Sequence, residues 1–279
     1  MPRDARLRAA AALAALALAT TLATAGCGAG APEAASSGGT AAPPVTGSLA
    51  TPTPAAQATP TPGTTGLASS SGGPYLVAGR YQPLWPFGDQ AEARAWQEAY
   101  RSGGHQPWHL DADRTALAFT QGYLGFGGVD TVVHRTVAGA HARIAVGFRP
   151  EEGGGISTAA VIHLVRYGSG GDAPWEVVGT DDTTFSLTTP AYGAVVVSPM
   201  RAGGRISGVD ESIRVQVRAP GSDRPLGEHC CVPAGGTDRP WTATVAFRAV
   251  PGRTLTVVAA TGGHVAAVER FAVTGVRSA

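Results

Sequence analysis

The side chains of this 279-residue chain best suited to nucleophilic, redox or metal chemistry are its three cysteines and seven histidines. Cys27 follows the small residues Thr24-Ala25-Gly26. Such a run suits a signal peptidase and leaves the thiol as the group that receives a lipid. Thr24 stands where Leu, Val or Ile is commoner, so an ordinary secretory cut after Ala23-Thr24-Ala25, with Cys27 a plain thiol, is the competing reading. Cys230 and Cys231 are adjacent. Outside the cytoplasm they could close a vicinal disulfide, bond to another chain, or stay reduced as small loop residues.

The histidines give weaker patterns. His105 and His109 are four apart with Pro107 between them and Asp111 and Asp113 beyond. No recognised ligand spacing results, so this stretch reads as a polar loop and no metal is assigned. His134, His141 and His163 fall in alternating segments that read as strands. If that sheet curves into a cone, His134 and His163 are the candidates for a ligand pocket. His229 stands beside the cysteine pair, but a Cys–His catalytic pair also needs an orienting group and an oxyanion site. The run Tyr167-Gly-Ser-Gly-Gly lacks nucleophile-elbow spacing and falls in a turn. No phosphate-binding or dinucleotide fingerprint follows a strand. No catalytic residue and no cofactor is therefore assigned.

The N-terminus supports export. Arg3, Arg6 and Arg8 against Asp4 precede an uncharged Ala/Leu-rich run from Ala9 to Thr24, too short for a comfortable span of about 20 apolar residues. Residues 1–26 read as a lipoprotein signal peptide, with Cys27 anchored on the outer face of the cytoplasmic membrane. The leader holds three of the 21 basic and one of the 20 acidic residues, which leaves 18 against 19. Such a balance gives no electrostatic reason to bind nucleic acid. Lys and Asn are absent, so every cation is Arg, as in a GC-rich, actinobacterial-type source.

Residues 27–73 are almost entirely Ala, Pro, Thr, Ser and Gly, typified by TPTPAAQATPTPGTTG. Such a segment buries too little apolar surface to offset its ordering entropy and reads as a disordered linker. As a coil of about 45 residues it would reach ~35–40 Å.

The elements that must position the candidate residues begin near residue 74. Asp89 with Glu92 forms a capping box for a helix that stops at Gly103-Gly104, with Ala95, Trp96, Ala99 and Tyr100 along one face. A second helix starts at Asp111 or Asp113 and runs to Tyr123. The period then becomes two: Val129–Val137, Ala140–Phe148, Thr158–Arg166 and Trp175–Gly179 read as four strands. Residues 74–189 are thus an α+β domain, two helices on an antiparallel sheet. The element order and the closing strand PWEVVGT resemble NTF2-like or cystatin-like domains. Tyr81, Trp85, Phe87, Trp96, Tyr100 and Trp108 crowd into this unit. They read as core that plugs helices onto the sheet, with an exposed binding patch as the alternative.

Residues 190–279 show no helical period. Candidate strands are Gly193–Ser198, Gly204–Gly208, Ser212–Ala219, Thr242–Ala249, Thr254–Ala260 and Glu269–Val276, separated by Gly- and Pro-bearing turns. Six short strands in about 90 residues read as an all-β sandwich. The segments VVVSPMRAGGRISGVDESIRVQVR, PLGEHCCVPAGG and PWTATVAFRAVPGRTLTVVAATGGHVAAVERFAV resemble the Gmad2 domain, the immunoglobulin-like domain of bacterial spore germination, over residues 192–276. The resemblance implies an immunoglobulin-like sandwich and supplies no catalytic residue. The adjacent cysteines depart from the family pattern.

The sequence therefore points to a non-catalytic, lipid-anchored envelope protein. It would meet other envelope proteins or a cell-wall polymer through its two folded units. The alternatives are a small-ligand pocket within 74–189 and, behind it, an envelope hydrolase.

Overall fold

The computed structural model describes residues 76–151 and 153–279. The expected signal peptide, Cys27 and the 27–73 linker lie outside the described residues.

Helix α1 spans Gln90–Gly103. The Asp89 carboxylate accepts from Glu92 N at 2.9 Å, and Glu92 accepts from Gly88 N at 2.7 Å, so carboxylates satisfy donors the first turn leaves orphaned. Gly104, at φ 68°, closes the helix by donating to Tyr100 O. Its buried stripe is Ala93, Trp96 and Gln97, rotated from the expected face, and Ala95 is exposed. Helix α2, Ala112–Ala118, is capped by Asp111, which accepts from Asp113 N and Arg114 N. It continues into a π-helical turn over Phe119–Tyr123 that buries Phe119, Thr120 and Tyr123 together.

The first sheet is an antiparallel meander of β1 (Thr131–Ala138), β2 (His141–Phe148), β3 (Ser157–Arg166) and β4 (Trp175–Asp181), in that spatial order. Its alternation sends Ala142, Ile144, Val146, Ile162 and Leu164 into one cluster with Ala112, Ala116, Phe119 and Tyr123. The other face carries the polar row Thr136, Arg143 and His163, which lie in register across three strands.

The second sheet contains β5 (Val195–Val196), β6 (Met200–Arg218), β7 (Gly227–Val245), β8 (Thr254–Thr261) and β9 (Arg270–Ser278), in the order β5-β9-β8-β6-β7. Only the short β5–β9 pair is parallel. Two sequence expectations need correction here. Gly204–Gly208 and Ser212–Ala219 belong to one strand, β6, and residues 227–241, read as turn and loop, form the first part of β7. The turn-forming residues are absorbed as irregularities in the ladder. The β6–β7 register slips between Ile206 and Gly208, between Gly208 and Glu211, and between Ile213 and Val215. A slip of one residue reverses which side chains face the core. That is why even-numbered Met200, Ala202 and Ile206 enter the same cluster as odd-numbered Ile213, Val215 and Val217.

Thr189-Pro190 falls in the connection between the sheets. The described residues nonetheless form one compact unit. The helix-side cluster of the first sheet also contains Val258, Ala260, Phe271 and Val273 from β8 and β9. Phe126, just after the π turn, meets Phe271 edge-on at 5.3 Å.

Candidate functional site

Two clefts each take in one of the candidate residues, Cys231 in the first and His163 in the second. The first, about 500 Å³, lies on the face of the second sheet that carries Val258 and Ala260, beside the helix-side cluster. Ser212, Arg214 and Gln216 of β6 and Val258 and Ala260 of β8 form its floor. Leu124 and Phe126 wall one side, and the β8–β9 turn walls another.

Cys231 reaches this cleft because of a register irregularity. Val215 pairs with His229 and Ile213 with Val232, so Cys230 and Cys231 together oppose Arg214 alone. Two residues against one is a β-bulge, a device that redirects side chains at a strand. The two sulfurs are joined in a vicinal disulfide, and both residues are exposed. The polar groups of this floor are bound to one another. Arg214 Nη1 donates to Glu228 at 3.1 Å and Gln216 Nε2 donates to the same carboxylate at 2.7 Å. Arg218 continues the chain by donating to Gln216 Oε1 at 3.1 Å.

The second cleft, about 410 Å³, lies where β4 meets β9. The sheets join there without a regular ladder: Val273 N donates to Thr180 Oγ1 at 2.8 Å, and Thr180 Oγ1 approaches Val273 O at 3.4 Å. Gly179, at φ 150°, brings the strands close; a Cβ there would touch Val273 O and the Tyr192 ring. His163 and Thr274 are buried parts of the wall, at 8% and 5% exposure. Tyr81, Asp182, Thr188 and Tyr192 form the rim. Tyr192 is fixed from behind, accepting from Gln82 N at 2.7 Å and donating to Gln82 O at 3.4 Å.

His163 is held by its neighbours. Its Nε2 lies 3.1 Å from His141 Nδ1, and the Tyr81 ring meets both imidazoles edge-on. Burial, with help from Arg143, His141 and Arg80, lowers its pKa to about 4. At neutral pH it is an uncharged imidazole. Of the paired nitrogens, one donates and the other accepts. The remaining His163 nitrogen, Nδ1, has no hydrogen-bond partner among the described residues. Arg143, in register with His163, donates to Asp181 at 2.6 Å.

The expected His134–His163 pocket does not form as a pair. His134 is exposed on the edge strand β1, and its ring nitrogen lies 3.4 Å from Thr136 Oγ1. His163 meets His141 instead. His109 does not approach a metal-binding set; it is buried among Phe87, Trp96 and Trp108, and burial lowers its pKa to about 4. His229 lies in β7, not in a loop. Among the described residues no group of three or more His, Cys, Asp and Glu could hold a metal ion.

The aromatic crowd is mainly structural. Phe87 and Trp96 are buried, and Trp85 stacks on Trp108 at 5.6 Å. Glu176, which sequence reasoning passed over, is fully buried beside them. It accepts from Phe87 N at 3.1 Å, and burial raises its pKa well above the carboxylate range. Among known proteins, no family model, curated sequence or solved structure matches this chain.

Proposed function

We propose that this protein is a non-catalytic binding module of the cell envelope, anchored by lipid at Cys27 and carried on the 27–73 linker. In this reading residues 190–279 are an immunoglobulin-like sandwich of Gmad2 type. The two helices and first sheet are the NTF2- or cystatin-like partner that completes its binding surface. The slipped β6–β7 hairpin supports the sandwich reading, because both of its halves close over one core with β8 and β9.

The observation that carries the binding function is the make-up of the His163 cleft. Hydroxyls, a carboxylate, two phenol rings and a neutral imidazole meet there. His163 itself contacts another imidazole and the edge of Tyr81. No hydroxyl or thiol stands at hydrogen-bond distance from it among the described residues, as a nucleophile–base pair would require. The cleft also draws on both sheets, so a ligand seated there would be read by the whole folded unit rather than by residues 74–189 alone.

Two measurements test the reading together. Membrane fractionation with mass spectrometry of the mature N-terminus should find acylated Cys27, and Cys27→Ser should release the protein from the membrane. The mature protein should also gain thermal stability in soluble envelope extract, as a ligand that binds only the folded state requires. An unacylated N-terminus combined with an unchanged melting temperature contradicts the proposal.

A further inference from the structure

We infer that the His163 cleft is a binding site for a neutral saccharide, which specifies the ligand class of the binding module proposed above. The groups facing the cleft are those a sugar needs. A pyranose or furanose presents several hydroxyls, each both donor and acceptor, around C–H faces that pack on aromatic rings. Asp182 is exposed at the rim and forms no ion pair among the described residues, so both carboxylate oxygens can accept from vicinal hydroxyls. Thr188 and Thr274 add hydroxyls that make no side-chain hydrogen bond of their own. His163 Nδ1 is a further unpartnered polar atom on a side chain more than nine-tenths buried.

Tyr192 supplies a ring face, and Tyr81 closes the rim beside it. Tyr192 is 42% exposed, and its hydroxyl is tied to the Gln82 backbone, so the ring is fixed before any ligand arrives. Tyr81 is held by the imidazole pair behind it and by the Arg80 guanidinium over its ring.

Charge selects against the rival classes. The one charged group lining this cleft is the acid Asp182. Of the guanidiniums beside it, Arg143 is paired with Asp181, and Arg80 is held over the Tyr81 ring with a hydrogen bond to the Tyr81 hydroxyl. An anionic ligand would meet an unpaired carboxylate, which disfavours phosphates and uronic acids. An apolar ligand would strip water from Asp182, Thr188 and Thr274 without replacing those hydrogen bonds. A volume of about 410 Å³ falls within the range of small-ligand sites.

Saturation-transfer NMR on the mature protein, in a detergent without a sugar headgroup, tests the site. The probes are cellobiose, maltose and N,N′-diacetylchitobiose, with a glucuronate-containing disaccharide as the charged control. At least one neutral disaccharide should show transfer from the protein, and the acidic one should bind more weakly. Asp182→Ala and Thr188→Val are surface changes that should leave the melting temperature unchanged. Asp182→Ala should weaken binding by about tenfold, the loss expected for a hydrogen bond to a charged group. Affinity that climbs from di- to tetrasaccharide assigns the ligand to a polymer, and flat affinity assigns it to a free sugar.

Absence of transfer from all three neutral probes overturns the inference. So does binding unaffected by Asp182→Ala, or tighter binding of the acidic disaccharide. If the protein stays membrane-bound and is stabilised by envelope extract yet ignores these sugars, only the saccharide assignment fails. If it also gains nothing from the extract, the binding-module reading fails with it.

Discussion

The two clefts of this fold are similar in size and opposite in how their polar groups are used. In the Cys231 cleft the charged and amide groups are spent on one another, Arg214, Gln216 and Glu228 forming a set extended by Arg218, and the one lining hydroxyl left unpaired, Thr261, is buried. In the His163 cleft the backing groups are fixed while the facing groups stay free. Tyr192 is bound to Gln82, Arg143 to Asp181 and His163 Nε2 to His141, whereas Asp182 and His163 Nδ1 are without partners among the described residues. The contrast teaches that cleft volume alone does not mark a binding site. What distinguishes one is a rigid wall whose outward polar atoms are left for a ligand to satisfy.

The largest expected effect concerns what the clefts share. Phe271 packs in the helix-side cluster with side chains from both sheets. Phe271→Ala should cost about 3–5 kcal/mol and lower one cooperative urea transition. Two separate transitions would mean that the sheets, and hence the clefts, are independent bodies. Next is Gly179, whose φ of 150° disfavours any side chain. Gly179→Ala should cost roughly 1–3 kcal/mol and weaken ligand binding at the His163 cleft, leaving amide signals around Arg214 in place. An equal disturbance of both clefts would refute the local account.

Acid should separate the clefts further. The folded-state pKa values of His163 and His109 are lowered to about 4 from an ordinary value near 6.5. Between those limits the unfolded chain binds more protons, so stability is complete above about pH 6.5 and falls as pH drops towards 4. Each histidine should contribute about 1–2 kcal/mol of that loss after solvent screening. Melting curves of His163→Gln should show a shallower decline across this window than the parent; an identical decline would deny His163 its share. The smallest effect belongs to the Cys231 cleft. A bond between neighbours in sequence closes almost no loop, so Cys230→Ser with Cys231→Ser should change stability by less than about 1 kcal/mol. A substantially larger loss in thermal denaturation would make the pair a structural staple.

The regular half of the fold was legible in the sequence and the irregular half was not. The Asp89 cap and the four strands of the first sheet lie within a few residues of their expected positions, because Gly, Pro or Asp bounds each strand and the single irregularity in each ladder does not move its ends. In β6 and β7, Gly203, Pro233 and Gly235-Gly236 fall between the expected strands but lie inside the observed ones. β7 is an edge strand, where proline is tolerated because one row of backbone groups has no partner. Of the His163 cleft, the sequence offered His163 as a pocket residue and Tyr81 as one of an aromatic crowd. Tyr81, Asp182, Thr188 and Thr274 come from segments up to 193 residues apart. Only the strand register and the close approach at Gly179 bring them together, and no local pattern encodes that. His134 was legible as a strand residue, but not as one on the exposed edge.

The most direct test of the account is an amide chemical-shift map of the mature protein titrated with N,N′-diacetylchitobiose or soluble envelope extract. The shifts should gather at Asp182, Thr188, Tyr192 and Thr274. Shifts confined to Ser212–Gln216 and the β8–β9 turn, with the His163 cleft silent, would contradict it.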